Sequence, residues 1–159
     1  MRLTQWSDYS LRVLMYCAAC SQRETPATIS EIAEAHGISR SHLTKIVMTL
    51  SAAGWIETTR GRGGGLRLLK AAQDIVLGDV IRQTETDFNM VECFDSTSNT
   101  CRLDSHCVLK CTLQRATNSY LAVLDSVTLA DLIAPIPNTC ETTSGTRIVH
   151  MPGLPSFET

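Results

Sequence analysis

Three features of the sequence predict a mainly α protein with a small β wing, organised as a winged helix-turn-helix domain plus a long dimerisation helix. Two amphipathic stretches meet across a tight turn at His36-Gly37. A hairpin rich in glycine and arginine follows directly, and one long helix with an apolar stripe comes late in the chain. The 159 residues are about one domain's worth, and 43% apolar against 19% charged residues is enough to build a core.

Taken in order, Ser7 is placed to cap a first helix running to about Cys20, with Leu11, Leu14, Met15 and Ala18 as its apolar stripe. Thr28-Ile-Ser-Glu31 has capping-box spacing and opens a second helix. That helix ends at His36-Gly37, where glycine suits a left-handed C-terminal position. Ser39 caps a third helix from Arg40 to about Ala53, terminated by Gly54. Trp55 to Thr59 has the aromatic and β-branched content of a strand. Gly61 and Gly63-Gly64-Gly65 mark a turn, and Leu66-Arg67-Leu68 returns. Leu77 to Thr84, with Val80 and Ile81, closes a domain over residues 1–84.

Residues 85–107 lack periodicity and read as a cysteine-bearing loop, long enough that something must pin it. A helix returns from Val108 to Val127. Its Leu109, Leu113, Ala116, Tyr120, Val123 and Val127 follow 4-3 spacing, an apolar seam suited to a homodimer contact or to packing on its own domain. Thr128 caps a short helix, Leu129 to Ile133, so residues 108–133 form the dimerisation segment. Pro135, Pro137, Pro152 and Pro155, with Gly145 and Gly153, mark 134–159 as a disordered tail.

The net charge of −2 hides an asymmetry. Residues 39–70 carry six basic side chains against Glu57 alone, a net +5, which leaves −7 for the remainder. A basic segment on an acidic body points to a polyanion. In a winged helix-turn-helix, the N-terminal part of the second helix faces base edges in the major groove of double-stranded DNA. Here that part holds Ser39, Arg40, Ser41, His42, Thr44 and Lys45, with less weight on His42. Arg60, Arg62 and Arg67 in the glycine-rich wing suit phosphates or a narrow minor groove; the competing reading is a solvated charged hairpin. No apolar run reaches the roughly 18 residues of a membrane span, and Met1 to Tyr9 is polar. The expected location is cytoplasmic, with no membrane partner and no enzymatic role.

Seven cysteines require an account. Cys93, Cys101 and Cys107 fall within fifteen residues of loop and can converge on one centre. Thiolates suit zinc and iron–sulfur clusters, which normally take four protein ligands. Thiol redox chemistry is a further possibility. His106 reads as a solvent-facing imidazole, and Cys111 as a small buried residue or a spare thiol. Cys17-Ala-Ala-Cys20 has redox spacing but lies at a helix C-terminus, where a thiolate is disfavoured, so packed core cysteines are expected.

The motifs Ser7-Asp8-Tyr9-x-Leu11-Arg12, Ser41-His-Leu-Thr-Lys45, Arg60-Gly-Arg-Gly-Gly-Gly-Leu66, Val91-Glu-Cys93-Phe and Thr128-Leu-Ala-Asp-Leu132 occur in this order. Together, across residues 1–134, they resemble the Rrf-type winged-helix transcriptional regulators, and most of all the nitric-oxide-sensing repressors among them. The resemblance implies a homodimer with one iron–sulfur cluster per subunit, 4Fe-4S in preference to 2Fe-2S. Cys93, Cys101 and Cys107 would ligate it, with Asp8 supplied by the partner subunit. Arg12, one turn after Asp8, would orient that carboxylate or form an ordinary i,i+4 pair. The implied activity is repression at a palindromic operator, released by cluster nitrosylation or loss. Relatives that sense cluster assembly place a His where this chain has Lys110, and iron-sensing relatives offer Asn at the position of Asp8. Sensing of iron supply is the runner-up.

Overall fold

The computed structural model describes residues 2–103 and 107–134. Helix α1 (Gln5–Ala19) lies at the centre, touching α3 (Arg40–Ala52), α4 (Leu77–Thr84), α6 (Leu129–Ile133) and strand β2 (Gly65–Leu68). Its Val13, Leu14, Cys17 and Ala18 are buried beside Ile32 of α2 (Ile29–His36) and Leu43, Ile46, Val47 and Leu50 of α3. The apolar positions of α1 recur at three- and four-residue intervals, as a helix with one buried face requires.

The caps of α2 and α3 follow the sequence. Thr28 and Glu31 form a reciprocal capping box, Gly37 adopts φ 63°, and Ser39 Oγ accepts from the His42 amide. The cap of α1 differs from expectation: Thr4, not Ser7, is extended at the boundary and accepts from the Ser7 amide at 3.3 Å. Both residues are competent caps; the earlier start places Ser7 inside the helix, where it is fully buried.

Strand β1 (Ile56–Thr59) pairs antiparallel with β2 from Ile56↔Leu68 to Thr59↔Gly65. Trp55 falls just outside the ladder; its indole donates to Gln83 Oε1 at 2.5 Å, which ties the base of the wing to α4. The wing's inner edge extends through an Ala27↔Leu66 bridge, so β2 also holds the entry to α2. A 3-10 turn at Ala72–Asp74, which the sequence did not announce, docks α6.

The segment after α4 is pinned at several points. Glu85 accepts from both the amide and the hydroxyl of Thr4, Thr117 donates to Met90 Sδ, and Glu92–Phe94 forms a 3-10 turn with Cys93 buried. Helix α5 (Val108–Asp125) packs on α4 and is locked there by Arg82, which grips Asp125 at 2.6 and 2.8 Å. The pairing holds the Asp125 carboxyl below its usual range and raises Arg82.

The expected seam divides. Leu109 and Val123 are 62% and 63% exposed, and Ala116 lies exposed between them. Leu113 and Tyr120 are half-buried on the side of buried Thr117, against the chain's own fold. Val127 departs from expectation: α5 ends at Asp125, because Val127 turns to accept the Leu77 amide beside the Val76↔Thr128 bridge. Cys111, expected to be buried, is exposed on the uncovered side of α5. His106, Cys140 and, of the tail expected over 134–159, all but Ala134 lie outside the described residues.

Candidate DNA interface and cysteine loop

Capping fixes the register of α3, and that register sorts its polar residues. Ser39 is spent on the cap and lies 3.3 Å from Ser41 Oγ. Arg40 donates to Ser30 Oγ on α2, and Thr44 returns its hydroxyl to the Arg40 carbonyl at 2.8 Å. His42 meets Tyr9 edge-on, with ring centroids 6.1 Å apart. Ser41 and Lys45 are exposed one turn apart.

Between α3 and the wing lies an open cleft of about 750 Å³. Thr44, Met48, Thr58, Thr59, Arg60 and Gly61 contribute to its lining. Met48, 68% exposed, and the two threonines are additions to the residues singled out from sequence. The signal for Met48 was its spacing: it falls on the Ser41–Lys45 face, an apolar residue on a polar stripe. At the wing tip Gly61 and Gly63 adopt φ 98° and 81°, values costly for other residues.

Arg60 and Arg62 are exposed on the wing, whereas Arg67 is placed differently. Its guanidinium donates to the carbonyls of Arg23 and Glu24, the former at 3.3 and 3.4 Å, and so ties β2 to the α1–α2 loop. The sequence could not reveal this, because the acceptors are backbone groups more than forty positions away.

At the other end of the molecule, Cys93 is buried in its 3-10 turn, while Cys101 and Cys107 are half-buried. The Cys101 amide donates to Asn99 Oδ1. Cys107 is the N-cap of α5, its Sγ accepting from the Lys110 amide at 3.4 Å. At this helix N-terminus the Lys110 amide supplies a donor to the sulfur. Nearby, Asp95 accepts from Thr97 and Ser98, which holds its carboxyl below the usual range and shapes the loop between Cys93 and Cys101. Among the described residues, no three His, Cys, Asp or Glu side chains are gathered closely enough to hold one metal ion.

Asp8 lies in the first turn of α1, engaged through both oxygens by Arg12 at 3.0 and 2.9 Å. Arg12 also lies over the Tyr9 ring, 5.9 Å from its centroid, and its own pKa is raised mainly by the bond to Asp8. The carboxylate is therefore held in one orientation at a partly exposed site. Three thiols and a carboxylate form a chemically suitable donor set for iron. The residues fit such a group in kind.

Among the described residues no helix is long and apolar enough to cross a membrane. The profile of the Rrf2 family, described as an iron-dependent transcriptional regulator, matches residues 3–135. The regulator NsrR of Bacillus subtilis (strain 168) is 50% identical over 133 residues, covering 84% of this chain and 90% of its own. Among solved structures, a putative transcriptional regulator from Listeria innocua superposes with a TM-score of 0.74 at 26% identity, covering 91% of this chain and 94% of that one. CymR, the global cysteine regulator of B. subtilis, gives 0.69 at 27% identity, covering 86% and 99%. The winged helix, the basic wing and the matched span agree: the chain belongs to the Rrf2 family of DNA-binding transcriptional regulators, is NsrR-like, and is not an enzyme.

Proposed function

We propose that this regulator is a repressor that senses nitric oxide through an iron–sulfur cluster. The observation that carries the reading is the position of Cys107, a thiol of the donor set that also caps α5. A ligand sulfur there links the state of the cysteine loop to the helix whose Leu109, Ala116 and Val123 are exposed at seven-residue spacing. That stripe suits a second copy of the chain. The half-identical NsrR supports the assignment of the signal.

In this reading Cys93, Cys101 and Cys107 bind one 4Fe-4S cluster per subunit, and Asp8 reaches the cluster of the other protomer, oriented by Arg12. The cluster supplies iron that nitric oxide binds. A carboxylate would be a weaker ligand to iron than a thiolate, so Asp8 would be the least firmly held member of the donor set. Each protomer presents Ser41 and Lys45 to base edges, and the dimer spans palindromic half-sites about 34 Å apart or a multiple of that. Arg60 and Arg62 hold phosphates, with Ser39, Arg40, His42 and Thr44 fixing the presentation of α3. A preference of about 3 kcal/mol for the loaded geometry gives a hundredfold change in affinity.

The test is anaerobic. Protein reconstituted with iron and sulfide is expected to absorb visible light and bind operator DNA, and nitric oxide titration should lower that affinity. Serine at Cys93, Cys101 or Cys107 should abolish the absorption, whereas serine at Cys111 should not. Equal operator affinity with the cluster present, damaged and absent would overturn the sensing mechanism.

A further inference from the structure

Cys17 and Cys20 are not used by the reading above, yet they share a cavity of about 440 Å³ between the end of α1 and β2. Leu68, Gln73, Arg67 and Lys70 also line it. Three residues apart on a helix, the two thiols lie on one face, within the Cα separation that a disulfide accepts. Cys20 is the C-cap of α1, at φ −88° and ψ 2°, where the helix ends.

The two sulfurs differ. Cys17 is buried, and burial, together with the neighbouring Cys20, pushes its thiol up to about 12. Cys20 is half-buried and accepts a bond from Arg23 Nη1 at 3.3 Å. The guanidinium places a positive charge and a hydrogen-bond donor directly against the Cys20 sulfur. Arg23 is itself held by Glu31 at 2.9 Å.

We propose that Cys17 and Cys20 form a redox-active dithiol that closes to a disulfide by exchange with a low-molecular-weight, carboxylate-bearing disulfide entering this cavity. The Cys20 thiolate attacks one sulfur of the incoming disulfide, forming a mixed disulfide and releasing one thiolate. Cys17 then loses its proton, which the released thiolate takes up, and its sulfur attacks Cys20 Sγ. The Cys17–Cys20 bond forms, the mixed disulfide breaks, and the second thiolate leaves to be protonated from solvent. Two protein thiols are oxidised and one disulfide is reduced to two thiols. Lys70 on the cavity wall, its Nζ 5.0 Å from the centroid of the Trp55 ring, favours carboxylates on the reagent.

The full chain, reduced and kept anaerobic, is treated with oxidised glutathione, quenched in acid, alkylated and cut with trypsin. Cleavage after Arg12 and Arg23 releases residues 13–23, which hold this pair and no other cysteine. The wild-type peptide should lose both alkylatable thiols and carry no glutathione. Cys17→Ser should stop with one glutathione on Cys20, and Cys20→Ser should leave Cys17 unmodified. Cystamine, a cationic disulfide, should react several-fold more slowly at low ionic strength. An unreacted wild-type pair, a persistent wild-type adduct, or a bond from either sulfur to another cysteine would overturn the dithiol. Equal rates with both reagents would overturn the preference for carboxylates.

Discussion

Arg62 and Arg67 lie five positions apart with the same charge, and the structure separates their roles. Arg62 is exposed on the wing, whereas Arg67 is occupied by the carbonyls of Arg23 and Glu24. Each phosphate contact contributes about 0.9 to the slope of log affinity against log salt, or roughly 3.5-fold in affinity between 50 and 200 mM. Arg62→Ala should therefore reduce the slope by about that amount on any duplex and leave stability unchanged. Arg67→Met keeps the apolar stem and removes the donors. A charged hydrogen bond contributes about 1.5–3 kcal/mol when well shielded. At this partly exposed site the loss should be about 1–2 kcal/mol, a fall in Tm of roughly 3–6 °C. Fluorescence anisotropy over a salt series and urea denaturation read the two quantities separately. If Arg67→Met lowered the salt slope as Arg62→Ala does and left stability intact, the clamp assignment would be wrong.

Gly65→Ala would place a Cβ 2.5 Å from the Ala27 carbonyl oxygen and 2.8 Å from Pro26 Cβ, forcing β2 away from the entry to α2. A cost of about 1–3 kcal/mol is expected in urea denaturation, opposite in sign to the usual gain of Ala over Gly. The Glu31 carboxyl is held below its ordinary value, first by Arg23 and then by Thr28. A depressed folded pKa means that its stabilisation is complete above the ordinary value of 4.5 and is lost as pH falls through the lower, folded one. Thermal melts below that value should show the decline, with a shallower one in Glu31→Gln; identical slopes would exclude the linkage. Val123→Glu adds a charge to the exposed stripe and should convert the proposed dimer to monomer in sedimentation without lowering helicity.

The sequence was legible where local chemistry decides the outcome. Thr28 with Glu31, Gly37, Ser39 and Thr128 each mark a boundary through a side chain or a φ value contained within a few residues. The short helix after Thr128 emerges with the expected limits for the same reason; Leu77–Thr84 also has the expected limits, without a side-chain cap, its start held by the Leu77 amide on the Val127 carbonyl. It was less legible where distant partners decide. Thr4 rather than Ser7 caps α1, in a place where Thr4 also reaches Glu85 across eighty-one positions. The 4-3 spacing on α5 registers apolar content on two adjoining faces, and cannot say that Leu113 and Tyr120 turn toward the chain's own fold while Leu109 and Val123 turn outward. The candidate ligands were visible as residue types, but whether they gather depends on the path of the loop that carries them, and among the described residues no three candidate ligands are gathered. Cys17 and Cys20 are core residues as expected, Cys17 buried and Cys20 packed against the core; the bond from Arg23 to Cys20 Sγ was not legible, because its donor lies in a loop of arbitrary sequence.

The two ends of the molecule are joined by directional bonds as well as apolar packing. Helix α5 has 18 residues, about 27 Å of rigid rod, with Cys107 before its first turn and Asp125 at its last. Asp125 is held bidentately by Arg82 of α4, and the next residue, Gln83, receives the indole of Trp55 at the base of β1. Glu85, directly after α4, pins Thr4 and so the first turn of the helix that carries Asp8. Such bonds are geometry-dependent and break rather than stretch, because their strength falls steeply with misalignment. A displacement at Cys107 therefore meets two discrete joints: α5 to α4, and α4 to the wing. Glu85 is the first residue of the cysteine loop, so the segment that carries the cysteines also holds Thr4 ahead of Asp8 and starts two residues after Gln83, which receives Trp55.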